Sequence, residues 1–152
     1  MKDYIILGIV VVICIIIIAF RVRNAYNTEK KKGRKEIERN YSRLKTGMIV
    51  QHFKRNTADT SDPSYCYLII SDCVKHTETG EPLVVYMACY GDLSVYARPR
   101  DMFYSEVDKV KYPDATQQYR LEEVTNKELL KTCKVASNKF ASKIQENFKT
   151  LS

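Results

Sequence analysis

The sequence contains no Cys-x-x-Cys pair and, between residues 46 and 152, no excess of either charge. Without paired cysteines, the chain lacks the ligand spacing of a zinc ribbon and the dithiol of a redox protein. Residues 46–152 hold fourteen basic and fourteen acidic residues, which argues against a basic nucleic-acid-binding domain. The 152 residues are 45% apolar and 28% charged, which excludes wholesale disorder and provides enough chain for one domain.

Charge is also missing from residues 4–20, a run of seventeen residues in which all but Gly8 are apolar or aromatic. As a helix this run spans roughly 25 Å, near the short end for a bilayer core of about 30 Å, and Arg21 and Arg23 can snorkel outward. A cleaved signal peptide fits less well, because the basic residues follow the run and no small-x-small cleavage site closes it. A buried core element is the remaining alternative. The pattern predicts a transmembrane anchor over residues 1–23, with the bilayer as a partner of residues 4–20.

The net charge of +7 is concentrated in residues 21–45, which hold ten basic and three acidic residues. Because basic flanks stay on the cytoplasmic side, a single-pass membrane protein with a cytoplasmic C-terminal domain is predicted. The segment 24–45 is then a basic juxtamembrane linker, whose helicity the sequence leaves open. Setting topology is its favoured role, and Lys30–Lys35 are candidates for contact with anionic lipid headgroups.

The segment 46–124 has the alternation and the turns of a small β domain. Strands are predicted at residues 48–53, 65–74, 83–90 and 93–97, with weaker candidates at 107–110 and 119–124. Glu78-Thr79-Gly80-Glu81 is typical of a hairpin turn. No room remains for crossover helices, so a mainly β fold is expected: a small antiparallel barrel or curled sheet, SH3-like in size.

The segment 125–152 changes to a helical period. Thr125-x-x-Glu128 has the form of a capping box, and a narrow apolar stripe follows it. We expect one C-terminal amphipathic helix that docks on the parent domain or on a second copy. Binding to a membrane or to a partner, and a solvated arm, are the alternatives.

Two stretches resemble a bacterial family of domains of unknown function, family 1653. They are the run HTETGEPLVVYMACYG from His76 to Gly91, and Arg98-Pro99-Arg100-Asp101-Met102-Phe103. His52 also falls at a family-like position, whereas Tyr96 replaces the family's tryptophan and the loop after His52 is longer. The resemblance covers roughly residues 46–110 and implies a small β-rich domain; it implies no activity.

Arg98 lies at the end of a predicted strand that also contains Tyr96, and Tyr86 and Tyr90 belong to the preceding strand. A fixed guanidinium beside tyrosines can bind an anionic or planar ligand. The alternative, slightly favoured by the sequence alone, is an ion pair of Arg98 with Glu78, Glu81 or Asp101 in which the tyrosines belong to the core.

Histidines and carboxylates cluster around the predicted hairpin. His76, Glu78 and Glu81, with His52 added, form a donor set that could bind a divalent metal, although the spacing matches no known motif. The simpler interpretation is that the two glutamates fix the turn and His76 hydrogen-bonds to the backbone. Cys73 or Cys89 beside a histidine would be a nucleophile, but both look buried. We expect neither a metal nor a cofactor.

The sequence favours a membrane-tethered, cytoplasmic, noncatalytic binding module for an unknown protein or small ligand. The candidate ligand-binding residues are His76, Glu78, Glu81, Tyr86, Tyr96 and Arg98. Two alternatives remain: a small metal-dependent hydrolase that uses His52, His76 and Glu78, and a scaffold that recruits a membrane partner through the C-terminal helix. No nucleic-acid partner is expected.

Overall fold

The computed structural model describes residues 2–55, 59 and 61–149, without the side chains of residues 2–12, 14 and 39. The chain divides into two compact units, residues 1–42 and residues 43–152. The first unit is a helix, and the second contains a β-sheet and two further helices.

The first unit consists of one long helix, α1 (Lys2–Tyr41). The predicted linker is therefore helical as far as Tyr41, and Gly33 does not interrupt it. Arg34 and Glu38 form an ion pair one turn apart, with 3.2 Å between Nε and Oε1. All described side chains between Ile13 and Glu38 are exposed.

No helix within the described residues is both long enough and apolar enough to cross a membrane. The predicted anchor over residues 4–20 therefore receives no support from the structure. Most of its side chains, those of residues 4–12 and 14, lie outside the described residues.

The second unit is built on a five-stranded antiparallel sheet in the order β4-β3-β2-β1-β5. The strands are β1 (Ile49–His52), β2 (Cys66–Lys75), β3 (Pro82–Ala88), β4 (Val95–Pro99) and β5 (Leu121–Glu123). β4 and β5 do not pair with each other, so the sheet is curled but not closed into a barrel. Register shifts within β2, between Ile69 and Ser71 and between Ser71 and Val74, provide the bulges that bend a sheet.

Residues 99–110 differ from the pattern predicted from the sequence. No helix was predicted there, yet residues from Arg100 form the short helix α2 (Arg100–Tyr104). The weak strand candidate 107–110 is not a strand; only an isolated bridge between Glu106 and Tyr119 forms nearby. The Lys109 ammonium instead ties this loop together by donating to the carbonyls of Ala115 and Gln117.

Both faces of the sheet are covered. On one face, a core cluster joins Ile49, Cys66, Cys89 and Val124 to two residues of the C-terminal helix α3 (Lys127–Lys149), Leu129 and Cys133. On the other face lie Val50, Ile69, Val84, Phe103 and Leu121, all at most 1% exposed. Coverage of both faces explains why β3 is almost continuously apolar in sequence.

The N-terminal half of α3 docks on the sheet, as one of the sequence-based alternatives anticipated. Leu129 and Cys133 are fully buried, whereas Ile144 and Phe148 near the other end are 40% and 67% exposed. The predicted capping box is wrong by one residue. Asn126 is the cap: its Oδ1 accepts hydrogen bonds from the backbone N–H groups of Glu128 and Leu129.

Removing this cap gives a test of the helix start. Asn126→Ala is expected to lower the free energy of unfolding by about 1 kcal/mol, because two N–H groups lose their acceptor. Thr125→Ala is the matched control, since the Thr125 side chain makes no capping contact, and it should change stability by less than about 0.5 kcal/mol. Urea unfolding of the full chain, followed by circular dichroism, measures both. A larger effect of Thr125→Ala would restore the original capping box.

Candidate functional site

A cleft of about 250 Å³ opens on the sheet face opposite α3. Each of the five strands contributes one lining residue: His52, Tyr67, Tyr86, Arg98 and Leu121 from β1 to β5, respectively. Lys54 and Tyr65 complete the wall.

The strand register explains why these side chains meet. His52 is paired with Leu121, and Tyr67 is paired with Val50, two residues before His52. Side chains at alternate positions of a strand point to the same face. The same rule places Tyr86 and Arg98 on this face, and the curl of the sheet then gathers side chains from edge to edge into one cleft.

His52 is a neutral imidazole at physiological pH. Burial lowers its pKa to about 4, with smaller contributions from the positive charges of Arg98, Lys54 and Arg120. Its Nδ1 accepts a hydrogen bond from the backbone N–H of Lys54 at 3.2 Å. The ring proton is therefore on Nε2, so His52 presents a donor and no charge.

Arg98 has no carboxylate partner among the described residues. No carboxylate oxygen of these residues lies within ion-pair distance of its guanidinium nitrogens. The predicted alternative of Arg98 pairing with Glu78, Glu81 or Asp101 is therefore not observed. A partly buried guanidinium with no counter-ion retains its capacity to bind an external anion.

Tyrosines form the floor and one side of the cleft. The rings of Tyr67 and Tyr86 meet edge to face at 5.3 Å between centroids, and the hydroxyls of Tyr67 and Tyr90 are 3.0 Å apart. Burial raises the pKa of Tyr67, and the hydrogen bond with Tyr90 raises it further. Burial also raises the pKa of Tyr86. These phenols therefore stay neutral and add no negative charge that would repel an anion.

Comparison with known protein families gives one match, which covers the β-sheet. The sequence model of a family described as "Protein of unknown function (DUF1653)" matches residues 48–123. The chain belongs to the DUF1653 family. The matched region begins just before β1 and ends with β5, so it contains every lining residue of the cleft. No curated protein and no solved structure matches the chain at a significant level.

Within the DUF1653 region, the structure brings together three of the six predicted site residues. Tyr86 and Arg98 line the cleft. Tyr96 is 46% exposed and packs against Tyr86, with 5.7 Å between the ring centroids, so it forms the rim.

The hairpin residues do not line this cleft. The His76 side chain folds back onto the hairpin turn that follows it. Its Nδ1 accepts hydrogen bonds there from the backbone N–H groups of Glu78 and Thr79, both at 3.3 Å. The side chains of Glu78 and Glu81 are exposed. This arrangement is the backbone-fixing one that the sequence offered as the simpler alternative for His76.

The donor set of the hydrolase alternative is not assembled. His52 pairs near the start of β2, and His76 follows the end of that ten-residue strand, roughly 30 Å farther along at about 3.3 Å per residue. Among the described residues, no group of three potential ligands is close enough to hold a metal. Cys89 is buried as expected, but Cys73 is exposed, contrary to the prediction.

Sequence reasoning placed His52 in the wrong constellation and missed Lys54, Tyr65 and Tyr67. Period-two alternation was the available signal, since His52 and Tyr67 share a face with Tyr86 and Arg98. Using that signal requires the register between the strands, which only the folded sheet shows.

Proposed function

We propose that this protein is a noncatalytic binding module whose cleft takes an anionic ligand. The observation that supports the proposal most directly is the guanidinium of Arg98, which faces an aromatic cleft without a carboxylate partner. Lys54 lines the same cleft. Two positively charged side chains, Arg98 and Lys54, therefore line the cleft, and none of its lining residues is acidic.

Arg98 is half-buried and lacks a carboxylate that would compensate for its lost hydration. A guanidinium that loses part of its hydration on folding regains the most from a bidentate, charge-assisted hydrogen bond with an oxyanion. The neutral His52 can add an N–H donor from Nε2. Carboxylates and phosphates meet these requirements, whereas cations do not.

Binding is favoured over hydrolysis because the groups that could react are elsewhere. The buried thiol of Cys66 shares a hydrogen bond with Cys133 on the opposite face, and this contact and burial raise its pKa. In the cleft, the Nδ1 of His52 already accepts a backbone hydrogen bond, so it is not free to take a proton from a nucleophile.

We further propose that the module is tethered to a membrane, with the β domain in the cytoplasm. The uncharged run 4–20 and the basic residues that follow it support this topology. The continuity of α1 fits a helical stem, along which Lys30–Lys35 can approach anionic headgroups.

Titration of the full-length protein in detergent micelles with inorganic phosphate tests the anion site. The imidazole resonance of His52 is the reporter, because the chain has only two histidines and His76→Gln assigns the signal. We expect a saturable shift that Arg98→Gln weakens by about 10-fold or more, the value of one charged hydrogen-bonded pair.

Arg34→Gln is the matched control, since Arg34 is exposed on α1 and outside the cleft. It should leave phosphate binding unchanged. The absence of a phosphate-induced shift, or equal weakening by both arginine variants, would refute the anion site.

A further inference from the structure

A second recess adjoins the cleft. It has a volume of about 380 Å³ and is lined by Phe53, Lys54, Lys111, Tyr112, Pro113, Asp114 and Ala115. Lys54 belongs to the walls of both spaces. We call the second space the Tyr112 recess.

Aromatic rings connect the two spaces without a break. The centroids of His52, in the cleft, and Phe53, in the Tyr112 recess, are 4.5 Å apart. Phe53 in turn meets the ring of Tyr112 edge to face at 4.9 Å. The Lys54 ammonium lies 5.3 Å from the centroid of the Tyr112 ring, so a cation stands at the junction.

The chemistry of the two spaces differs. The cleft carries Arg98 and the donor of His52, which suit an oxyanion. The Tyr112 recess has ring and proline surfaces from Phe53, Tyr112 and Pro113, which suit a planar group. Lys111 and Asp114 line this recess with opposite charges, and the Asp114 carboxylate can accept a hydrogen bond from an amino group.

We propose that the two spaces form one composite site for a mononucleotide. Its phosphoryl group would bind at Arg98 and His52, and its base would stack in the Tyr112 recess, with the amino group of the base near Asp114. This inference rests on the anion site proposed above and adds the identity of the ligand class.

Size favours this assignment. Small-molecule sites usually occupy about 300–1,000 Å³. The cleft, at about 250 Å³, falls just below that range, and the Tyr112 recess, at about 380 Å³, falls within it, so the two spaces together have room for a ligand larger than phosphate. Because Lys54 lines both spaces, its ammonium group can neutralise part of the phosphate charge in either orientation of the ligand.

Comparative titration of the full-length protein in micelles tests the composite site. The probes are inorganic phosphate, AMP and O-phosphotyrosine, each followed by the His52 resonance. We expect AMP to bind about 10-fold or more tightly than phosphate, the gain from stacking one base. Tyr112→Ala should remove that gain while phosphate still binds saturably, whereas Tyr112→Phe, which retains the ring, should keep the gain.

The outcomes separate the two proposals. If phosphate binds in an Arg98-dependent way but AMP binds no more tightly, the composite site is refuted and the anion site stands. If phosphotyrosine gains affinity and AMP does not, the nucleotide assignment is wrong. If phosphate itself fails to bind, the anion site is refuted. Saturable phosphate binding by Tyr112→Ala also shows that this variant is folded.

Discussion

Replacing Phe103 with alanine is expected to lower the free energy of unfolding by about 3–5 kcal/mol, the largest stability effect that we predict. Phe103 is fully buried, and its ring contacts those of Tyr86 and Tyr104 at 5.3 and 5.5 Å between centroids. Truncation removes its transfer free energy and leaves a cavity directly behind the tyrosine floor of the cleft. The surrounding rings belong to different elements, so they cannot collapse together into the space.

Met102→Ala is the matched control, because Met102 is the adjacent apolar residue and is 51% exposed. We expect a change within about 0.5 kcal/mol. Urea unfolding of the full chain, followed by tyrosine fluorescence, measures both variants, since the protein has no tryptophan. Equal destabilisation by the two substitutions would show that α2 is not oriented as described.

This pair of residues also shows how far sequence reasoning reaches. Both residues of the pair are apolar, so composition alone favours the burial of each. In the structure they lie in α2, where successive residues point about 100° apart, so only Phe103 reaches the core. The burial of Phe103 could be expected from its apolar side chain. The exposure of Met102 could not, because it depends on the local helical conformation.

The strands were predictable to within about two residues, because hydrophobic alternation is a local signal. Closure of the sheet was not predictable. A barrel requires β4 to pair with β5, and nothing in the residues of either strand specifies that partner. The bulges near Ser71 bend the sheet enough to gather a cleft but leave both edge strands unpaired with each other.

Some residues of the cleft could likewise be grouped from the sequence, and others could not. Arg98 and Tyr86 could be grouped from the sequence because their strands are consecutive and form a hairpin-like pair. His52 joins them only through the curl of the sheet. Conversely, His76 and Glu78 are close in sequence, yet the imidazole accepts hydrogen bonds within its own turn and does not line the cleft. Proximity along the chain therefore did not show which residues would share the cleft with Arg98.

Lowering the pH from about 6.5 to 4 is expected to destabilise the protein through His52. Its pKa in the folded protein is about 4, below the ordinary value of 6.5. Between these values the unfolded chain binds the proton and the folded chain does not, so stability is complete above about pH 6.5 and falls with pH. The full shift would correspond to about 3 kcal/mol; solvent screening at the partly exposed ring reduces our expectation to about 2 kcal/mol.

His52→Gln should remove this part of the acid sensitivity. Both this substitution and its reference are made in a His76→Gln background, so that one chain carries a single imidazole and the other carries none. The carboxyl groups of Asp59 and Asp92, whose pKa values are lowered by hydrogen bonds from Ser61 and Ser94, also reduce stability in acid. They are present in both chains, and the difference between the two stability profiles isolates His52.

Parallel profiles between pH 6.5 and 4, or a His52 resonance that titrates near 6.5, would contradict the buried, neutral imidazole. The same resonance links stability to binding. Arg98, Lys54 and Arg120 all disfavour the imidazolium, and an oxyanion bound among them cancels part of their field. Phosphate should therefore raise the pKa of His52, and by linkage its affinity should increase as the pH falls toward that pKa.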